Sequence, residues 1–154
     1  MMNTSDDRQA KVLTLDDFWP YQVTVLADRI ARRTTRIVKE DGLNLSQWRV
    51  MAAIAEVPGR TSGDVVSITP MDKGIVSRAT KALLEMGFIK RVASQDDGRL
   101  SHLHLTPEGV SVYEQIMPRV EAVLRCADQS LSRQQQARLS QDLHTLMDAL
   151  PDNR

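Results

Sequence analysis

Hydrophobic residues recur at helical spacing along most of the chain, and each such stretch is bounded by residues that begin or end helices. The clearest stretch runs from Thr69, a good N-cap followed by Pro70, to Gly87, which supplies a stop. One face of this predicted helix is aliphatic, with Ile75, Val76, Ala79, Ala82, Leu83 and Met86. The opposite face carries small, hydroxyl-bearing and cationic side chains, namely Lys73, Gly74, Ser77, Arg78, Thr80 and Lys81. This pattern is typical of a helix that lies in a DNA major groove, although an ordinary amphipathic surface helix has it too.

Three further helices are predicted before this segment. The first is capped by Asp16 or Asp17 and ends near Lys39, and the second has Ser46 as its N-cap. The third is short and begins at a capping box opened by Thr61. Its predicted inward-facing side chains are Val65, Val66 and Ile68. A short helix, a tight turn and a helix with a basic outer face form a helix-turn-helix arrangement.

Beyond this unit the hydrophobic period changes from that of a helix to that of a strand. Residues 88–93 and 100–105 are predicted strands, and the sequence between them has turn chemistry. A two-stranded hairpin directly after a helix-turn-helix is a wing. At its tip, Asp97 is placed to hold the guanidinium of Arg99 in a bidentate pair, and an Arg on a thin hairpin suits a narrow minor groove.

Two long helices are predicted after the wing. The first begins at Thr106 and runs to about Asp128, and the second begins at a capping box formed by Ser132 and Gln135. The last helix has an apolar stripe formed by Leu139, Leu143, Leu146, Met147 and Leu150. Because the terminal helices carry more aliphatic surface than one small core requires, the pattern predicts a two-fold homodimer. Such a dimer would place two recognition helices one DNA turn apart, about 34–36 Å, and read a pseudo-palindromic operator.

The predicted fold is therefore mainly α with a small β wing, in a single domain. Residues 1–12 form a flexible arm and residues 13–150 form the domain itself. Within the domain, residues 45–105 are the winged-helix DNA-binding lobe, and residues 13–42 and 106–150 are helical dimerisation elements. The predicted architecture is a winged helix-turn-helix with N- and C-terminal dimerisation helices.

Charge is balanced over the whole chain, with 20 basic and 20 acidic residues among 154. The polar N-terminus and the lack of an apolar run of about 20 residues predict a soluble cytoplasmic protein without a membrane partner. The single cysteine, Cys126, fits a reducing compartment. The first helix contains a basic run at Arg29, Arg32, Arg33 and Arg36. Such a run is typical of a solvated helix face, and phosphate binding is the alternative.

Few residues indicate any other chemistry. His102 and His104 share one face of a predicted strand, but further metal ligands are lacking nearby, so we expect both imidazoles to face solvent or DNA phosphate. For Cys126, a buried or idle thiol is a simpler interpretation than a redox sensor, because it has no partner cysteine. Because no motif of a phosphate-binding loop or of a hydrolase occurs, we expect no enzymatic activity, no cofactor and no metal. A winged-helix module that binds proteins rather than DNA is the alternative function.

In the order and spacing of several short motifs, the chain resembles the MarR family of bacterial transcriptional regulators. The motifs are Leu45-Ser-Gln-Trp-Arg-Val50, Met71-Asp-Lys-Gly-Ile-Val-Ser-Arg78, residues 83–89, Asp96-Asp-Gly-Arg99 and Leu105-Thr-Pro-Glu-Gly109. The resemblance implies a homodimer of winged-helix subunits, often a repressor. The DNA contacts that we predict are Lys73, Gly74, Ser77, Arg78, Lys81, Asp97, Arg99 and Ser101. One departure is Gly74-Ile75, where the family usually has Ser or Thr, and it leaves the operator sequence open.

The resemblance also implies a small-molecule site between the dimerisation helices and the DNA-binding lobe, frequently for aromatic acids or phenolics. By position, Tyr21, Trp48 and Arg49 are the candidate lining residues for such an effector. Trp48 also fits the hydrophobic core, which is the more common environment for a tryptophan. We therefore predict a homodimeric, DNA-binding repressor that a small aromatic or phenolic effector releases from its operator.

Overall fold

The computed structural model describes residues 12–97 and 100–151, and in these ranges the chain forms six α-helices and one two-stranded sheet. In chain order the elements are α1 (Trp19–Glu40), α2 (Leu45–Glu56), α3 (Ser62–Ile68), α4 (Lys73–Glu85), β1 (Ile89–Ala93), β2 (Ser101–Leu105), α5 (Pro107–Asp128) and α6 (Arg133–Ala149). A single 3-10 turn, Leu15–Asp17, precedes α1. The predicted class, mainly α with a β wing, is confirmed, while residues 1–11 of the predicted arm lie outside the described residues. Over the described ranges, no helix combines the length and the apolar character needed to cross a bilayer.

The hydrophobic core lies where α2 and α4 meet the sheet, and α1 and α5 close it from the other side. Its largest fully buried aliphatic side chains are Met51, Ile54, Met71, Leu83, Leu103 and Ile116. Burying a side chain of this size contributes about 1.5–3 kcal/mol, so this cluster is a main source of the stability of the lobe. The ring of Trp48 on α2 also stacks on Tyr113 of α5, with centroids 5.3 Å apart and planes 15° from parallel.

Polar contacts hold the end of α1 against α5. The guanidinium of Arg119 on α5 donates to the carboxylate of Glu40 at 2.9 Å and also to the carboxylate of Asp41. The carboxylate of Asp41 is largely buried, which strengthens the second pair relative to an exposed one. The two long helices are therefore joined by an ion-pair cluster as well as by apolar packing.

The wing is a hairpin whose inner strand has a further partner. β1 and β2 pair antiparallel over five residues each, one fewer at the start of each strand than predicted. On the other edge of β2, the N–H of Leu103 donates to the carbonyl of Arg60, and the N–H of Gly59 donates to the carbonyl of Leu103, both at 2.9 Å. The connection between α2 and α3 thus pairs with β2 and ties the wing to the helix-turn-helix.

This extra pairing corrects our expectation for the two histidines of β2. Both side chains are half-buried rather than directed to solvent or DNA phosphate. The Nδ1 of His102 donates to the carbonyl of Gly59 at 2.7 Å, which fixes Nδ1 as a protonated ring nitrogen. The ring of His104 packs beside the same glycine, where a Cβ atom would lie 3.5 Å from its Cε1. The expectation was wrong because the segment before α3 covers this side of the strand.

The helix that we predicted from Thr69 begins instead at Lys73. Its N-cap is Asp72, whose carboxylate accepts the backbone N–H of Ile75 at 2.7 Å. The hydroxyl of Thr69 donates to the carbonyl of Val65 at 2.7 Å and so satisfies the end of α3. Thr69 therefore closes one helix rather than opening the next.

Two other predicted caps are wrong, and three are confirmed. The acids at positions 16 and 17 lie inside the 3-10 turn, so Phe18 is the N-cap of α1. The N-cap of α2 is Asn44 rather than Ser46, because Asn44 and Gln47 exchange hydrogen bonds of 2.9 and 2.8 Å in a capping box. The confirmed N-caps, each accepting a backbone N–H three residues on, are Thr61, Thr106 and Ser132.

The buried face of α4 is turned relative to the predicted one. Thr80, predicted to face outward, is fully buried, whereas Met86, predicted to face inward, is exposed. In α3, Ile68 is likewise exposed rather than buried. The face of α4 is centred on Val76 and Leu83 because this helix packs against α2 and α3 at the same time.

The start of α5 is fitted closely against the chain that leaves α4. The N–H of Thr106 donates to the carbonyl of Phe88 at 3.0 Å, and its hydroxyl donates to the carbonyl of Gly87 at 2.6 Å. A Cβ atom at Gly109 would lie only 1.9 Å from the carbonyl oxygen of Phe88. No residue other than glycine fits at this position without a shift of the backbone.

We expect the substitution Gly109→Ala to lower the free energy of unfolding by about 1–3 kcal/mol, as overpacking does, despite the better helix propensity of alanine. The matched control is Gly63→Ala in α3, whose added Cβ would meet its nearest neighbour at an ordinary 3.6 Å. Urea denaturation of both variants checks the prediction. Equal stability of the two variants would show that Phe88 can move aside at little cost.

Candidate nucleic-acid interface

The exposed face of α4 brings together five of the eight predicted DNA contacts. All five residues are exposed, namely Lys73, Gly74, Ser77, Arg78 and Lys81. The opposite side of the helix is fixed in the core through Val76 and Leu83, which have no accessible surface. The face is therefore presented by a helix that cannot turn about its axis without breaking the core.

Gly74 leaves room on the first turn of α4. A Cβ atom on Gly74 would lie 3.4 Å from Nη1 of Arg78 and 3.3 Å from Oδ1 of Asp72. The guanidinium of Arg78 therefore extends across the glycine toward the N-terminus of the helix. A small residue here permits close approach of the helix to a ligand, and the long Arg side chain supplies the donors.

A cleft of about 480 Å³ lies beside this face, between α3, α4 and β1. Its lining residues are Ser62, Gly63, Val66, Lys73, Val76, Ser77 and Arg91. Two cations and two hydroxyls therefore converge on one concave surface. Such a set of donors suits an anion of the size of a backbone phosphate.

Arg91 is the residue of this surface that sequence reasoning missed. It pairs with Leu103 across the hairpin, so it shares the face of the sheet that is directed toward the helices. Its guanidinium donates to the hydroxyl of Ser101 at 3.2 Å. Ser101, predicted to contact DNA itself, is half-buried and bonded to Arg91. Strand alternation would have placed Arg91 on the face of Ile89, but only the packing of the hairpin shows that it reaches α4.

The tip of the wing is described in part. Leu100 donates its N–H to the carbonyl of Asp97 at 2.9 Å, and Ser94 donates its N–H to the carbonyl of Leu100 at 3.0 Å, which closes the turn. The side chain of Asp97 is exposed. Arg99 lies outside the described residues, so its pairing with Asp97 and its role in the minor groove stay predictions.

Of the acids near the face, Asp64 is held by local hydrogen bonds. Asp64 accepts the backbone N–H of Thr61 at 2.7 Å and the hydroxyl of Thr61 at 2.8 Å. These two bonds, with a smaller effect of the Arg60 charge, lower the pKa of Asp64 below its ordinary value. Glu85 lies 4.0 Å from the ammonium of Lys81, an exposed pair of little energetic weight.

The candidate effector residues lie in different environments. Tyr21 lines a cavity of about 470 Å³ near the start of α1, together with Arg29. Trp48 is buried and stacked on Tyr113, and Arg49, on the same helix, is half-buried. The structure thus places Trp48 in the core, and an effector role for the three residues stays a prediction.

Comparisons with known proteins agree with this architecture. Residues 41–100 match the sequence model of the MarR family. The HTH-type transcriptional regulator PetP of Rhodobacter capsulatus is 25% identical over 113 residues, which cover 73% of this chain and 68% of PetP. A MarR-family transcriptional regulator from Silicibacter pomeroyi has a similar fold, with a TM-score of 0.83 at 20% identity over 92% of this chain and 95% of that one. The structure of an S. aureus MepR–DNA complex gives a TM-score of 0.78 at 14% identity over 90% of this chain and 100% of MepR.

A helix-turn-helix, a wing and flanking long helices together make this architecture a winged helix-turn-helix, the fold that it shares with the structure from Silicibacter pomeroyi. The match over residues 41–100 covers α2, α3, α4 and β1, and in this part the chain is similar to the MarR family.

We expect the substitution Asp64→Asn to make stability less sensitive to acid. The folded-state pKa of Asp64 lies below the ordinary value of 3.8, so its charged form stabilises the fold above that pH, and the contribution is lost as pH falls through the lowered pKa. Urea denaturation at neutral and at strongly acidic pH checks this. The wild type should be more stable than the variant only at neutral pH, and an equal difference at both would contradict the assignment.

Proposed function

We propose that this protein is a sequence-specific, double-stranded DNA-binding transcriptional regulator that acts as a homodimer. The observation that carries the proposal is the exposed face of α4, where Ser77 and Arg78 stand on a helix fixed by its buried side. Arg and Lys donors of this kind recognise guanine edges and phosphates in a major groove. A complex of DNA with the similarly folded MepR supports the proposal.

Within this proposal the residues of the face have separate roles. Ser77 and Arg78, near the middle of the face, contact base edges and give sequence preference. Lys73, Lys81 and Arg91 lie around them and contact phosphates, which fix the orientation of the lobe on the duplex. Arg99 on the wing enters the adjacent minor groove.

Exposed apolar surface on α1 and α6 supports the homodimer. Trp19 and Val23 on α1 line an apolar groove with side chains of α6. On α6, Leu143, Met147 and the neighbouring Leu150 are exposed, the last by 68%. Contiguous apolar surface of this kind marks an interaction site, and a second copy of the same helices covers it economically.

We further propose that the dimer is a cytoplasmic repressor and that a small aromatic or phenolic effector releases it from DNA. The cavity beside Tyr21 lies on α1, which joins the proposed dimer surface to the lobe through Ile37 and Val38. A ligand there is placed to change the angle between the lobe and the rest of the dimer. Titration with 4-hydroxybenzoate and with salicylate, read as loss of operator binding, tests this part.

Selection of bound duplexes from a random pool tests the main proposal. Recovery of an inverted repeat with half-sites one helical turn apart is the expected result, because a two-fold dimer places two α4 helices at that spacing. Binding should also weaken by about 0.9 log units per phosphate contact for each log unit of salt. A pool without a recovered motif, together with a flat salt response, would favour a module for protein binding.

We expect Arg78→Ala and Lys81→Gln to weaken DNA binding in different ways. The loss of a base contact at Arg78 should cost about 1–3 kcal/mol on the selected duplex and little on a scrambled one. The loss of a phosphate contact at Lys81 should weaken both duplexes by similar factors. Fluorescence anisotropy with the two duplexes measures the difference. If both variants lose the same affinity for both duplexes, Arg78 does not contact base edges.

We expect the substitution Leu143→Glu to dissociate the dimer, because it places a charge in the apolar surface of α6. The control is Gln141→Glu, which adds the same charge to an exposed polar position of the same helix. Sedimentation velocity at micromolar concentration separates the monomer from the dimer. A dimeric Leu143→Glu variant would show that the interface lies elsewhere.

A further inference from the structure

The outward side of α1 carries a continuous stripe of cations. It consists of Arg29, Arg32, Arg33, Arg36 and Lys39, which we call the basic stripe. All five side chains are exposed. At 100° per residue they fall within a sector of about 120°, opposite the side of the helix that Thr34, Ile37 and Val38 bury.

Few acids offset this charge. Asp28 pairs with Arg32 at 2.5 Å, and Glu40 is bonded to Arg119 of α5. Among the described residues, Arg33, Arg36 and Lys39 have no acid within ion-pair distance. Like charges three or four residues apart on a helix each cost about 0.2–0.5 kcal/mol, and a merely solvated face avoids them by alternating the sign.

The basic stripe also lacks what a protein partner needs. Between positions 32 and 40 its sector holds charged side chains and no apolar one, and only Arg29, at the start of the stripe, borders the cavity beside Tyr21. The centre of an interface between two proteins is apolar and contains few charged residues. The protein surface that binds DNA is instead polar and strongly positive. Four of its five cations are arginines, whose planar fork matches phosphate oxygens.

We propose that the basic stripe is a second DNA-binding surface, which contacts backbone phosphates outside the groove read by α4. The stripe is about 15 Å long, and this length of duplex carries about four phosphates per strand, comparable with the four cations that Asp28 leaves unpaired. Ile37 and Val38 belong to the core that also holds α4, so the stripe and the recognition face have a fixed relation. The inference rests on the proposed DNA-binding function and adds a surface to it.

The test is the salt dependence of binding by the triple variant Arg33→Gln, Arg36→Gln and Lys39→Gln. For three lost phosphate contacts, the drop in affinity between about 50 and 200 mM salt should be roughly 40-fold smaller than in the wild type. A second variant, Arg33→Lys with Arg36→Lys, keeps the charge and should keep the wild-type slope. Circular dichroism establishes that α1 remains helical in both variants.

The matched control is Arg125→Gln, Arg133→Gln and Arg138→Gln, which removes three exposed cations from the end of α5 and from α6. This variant should retain the wild-type salt slope. If the triple stripe variant also retains it, the second surface is overturned, and the basic stripe is a solvated helix face. The proposed DNA-binding function still holds in that case if Arg78→Ala loses sequence preference. Failure of the second surface can therefore be distinguished from failure of the proposed function.

Discussion

The backbone of Leu103 joins the wing to the helix-turn-helix. Its N–H and its carbonyl both bond to residues 59–60, between α2 and α3, while its side chain is fully buried in the core. Arg60 adds a second attachment, because its guanidinium donates to the carbonyl of Ala53 and to the carboxylate of Glu56 at the end of α2. β2 cannot slide relative to α2 and α3 without losing these bonds, and β1 follows directly from α4. The recognition helix and the wing therefore approach a duplex as one body.

Helix boundaries were predictable where the capping side chain could form hydrogen bonds with one helix only. Thr61 and Ser132 each have a partner three residues on that completes a capping box, and the structure confirms both. Thr69 differs, because its hydroxyl can satisfy the helix before it or the helix after it. The structure uses it for the carbonyl of Val65, a choice that depends on where α4 packs rather than on local sequence. The burial of Thr80 has the same origin, since two neighbouring helices decide which side of α4 is covered.

The candidate site was predictable to the extent that it lies on one helix. Once α4 was assigned, the helical spacing of its hydrophobic residues identified the exposed positions. Lys73, Ser77 and Arg78 are exposed as expected. Arg91 was missed because its position depends on strand register and on how the hairpin packs against α4, neither of which a short pattern contains. Trp48 presented the opposite difficulty, since a tryptophan that faces a ligand and one that stacks on Tyr113 have the same local sequence.

The contact between Gly109 and the carbonyl of Phe88 has a mechanical consequence. The two backbones are in close contact where the lobe meets α5, so the lobe and the first turns of α5 form one rigid unit. α5 has 22 residues and is about 33 Å long, and a tilt of about 5° at its beginning displaces its far end by about 3 Å. A displacement of about 3 Å among the terminal helices therefore corresponds to a rotation of the lobe by only about 5°.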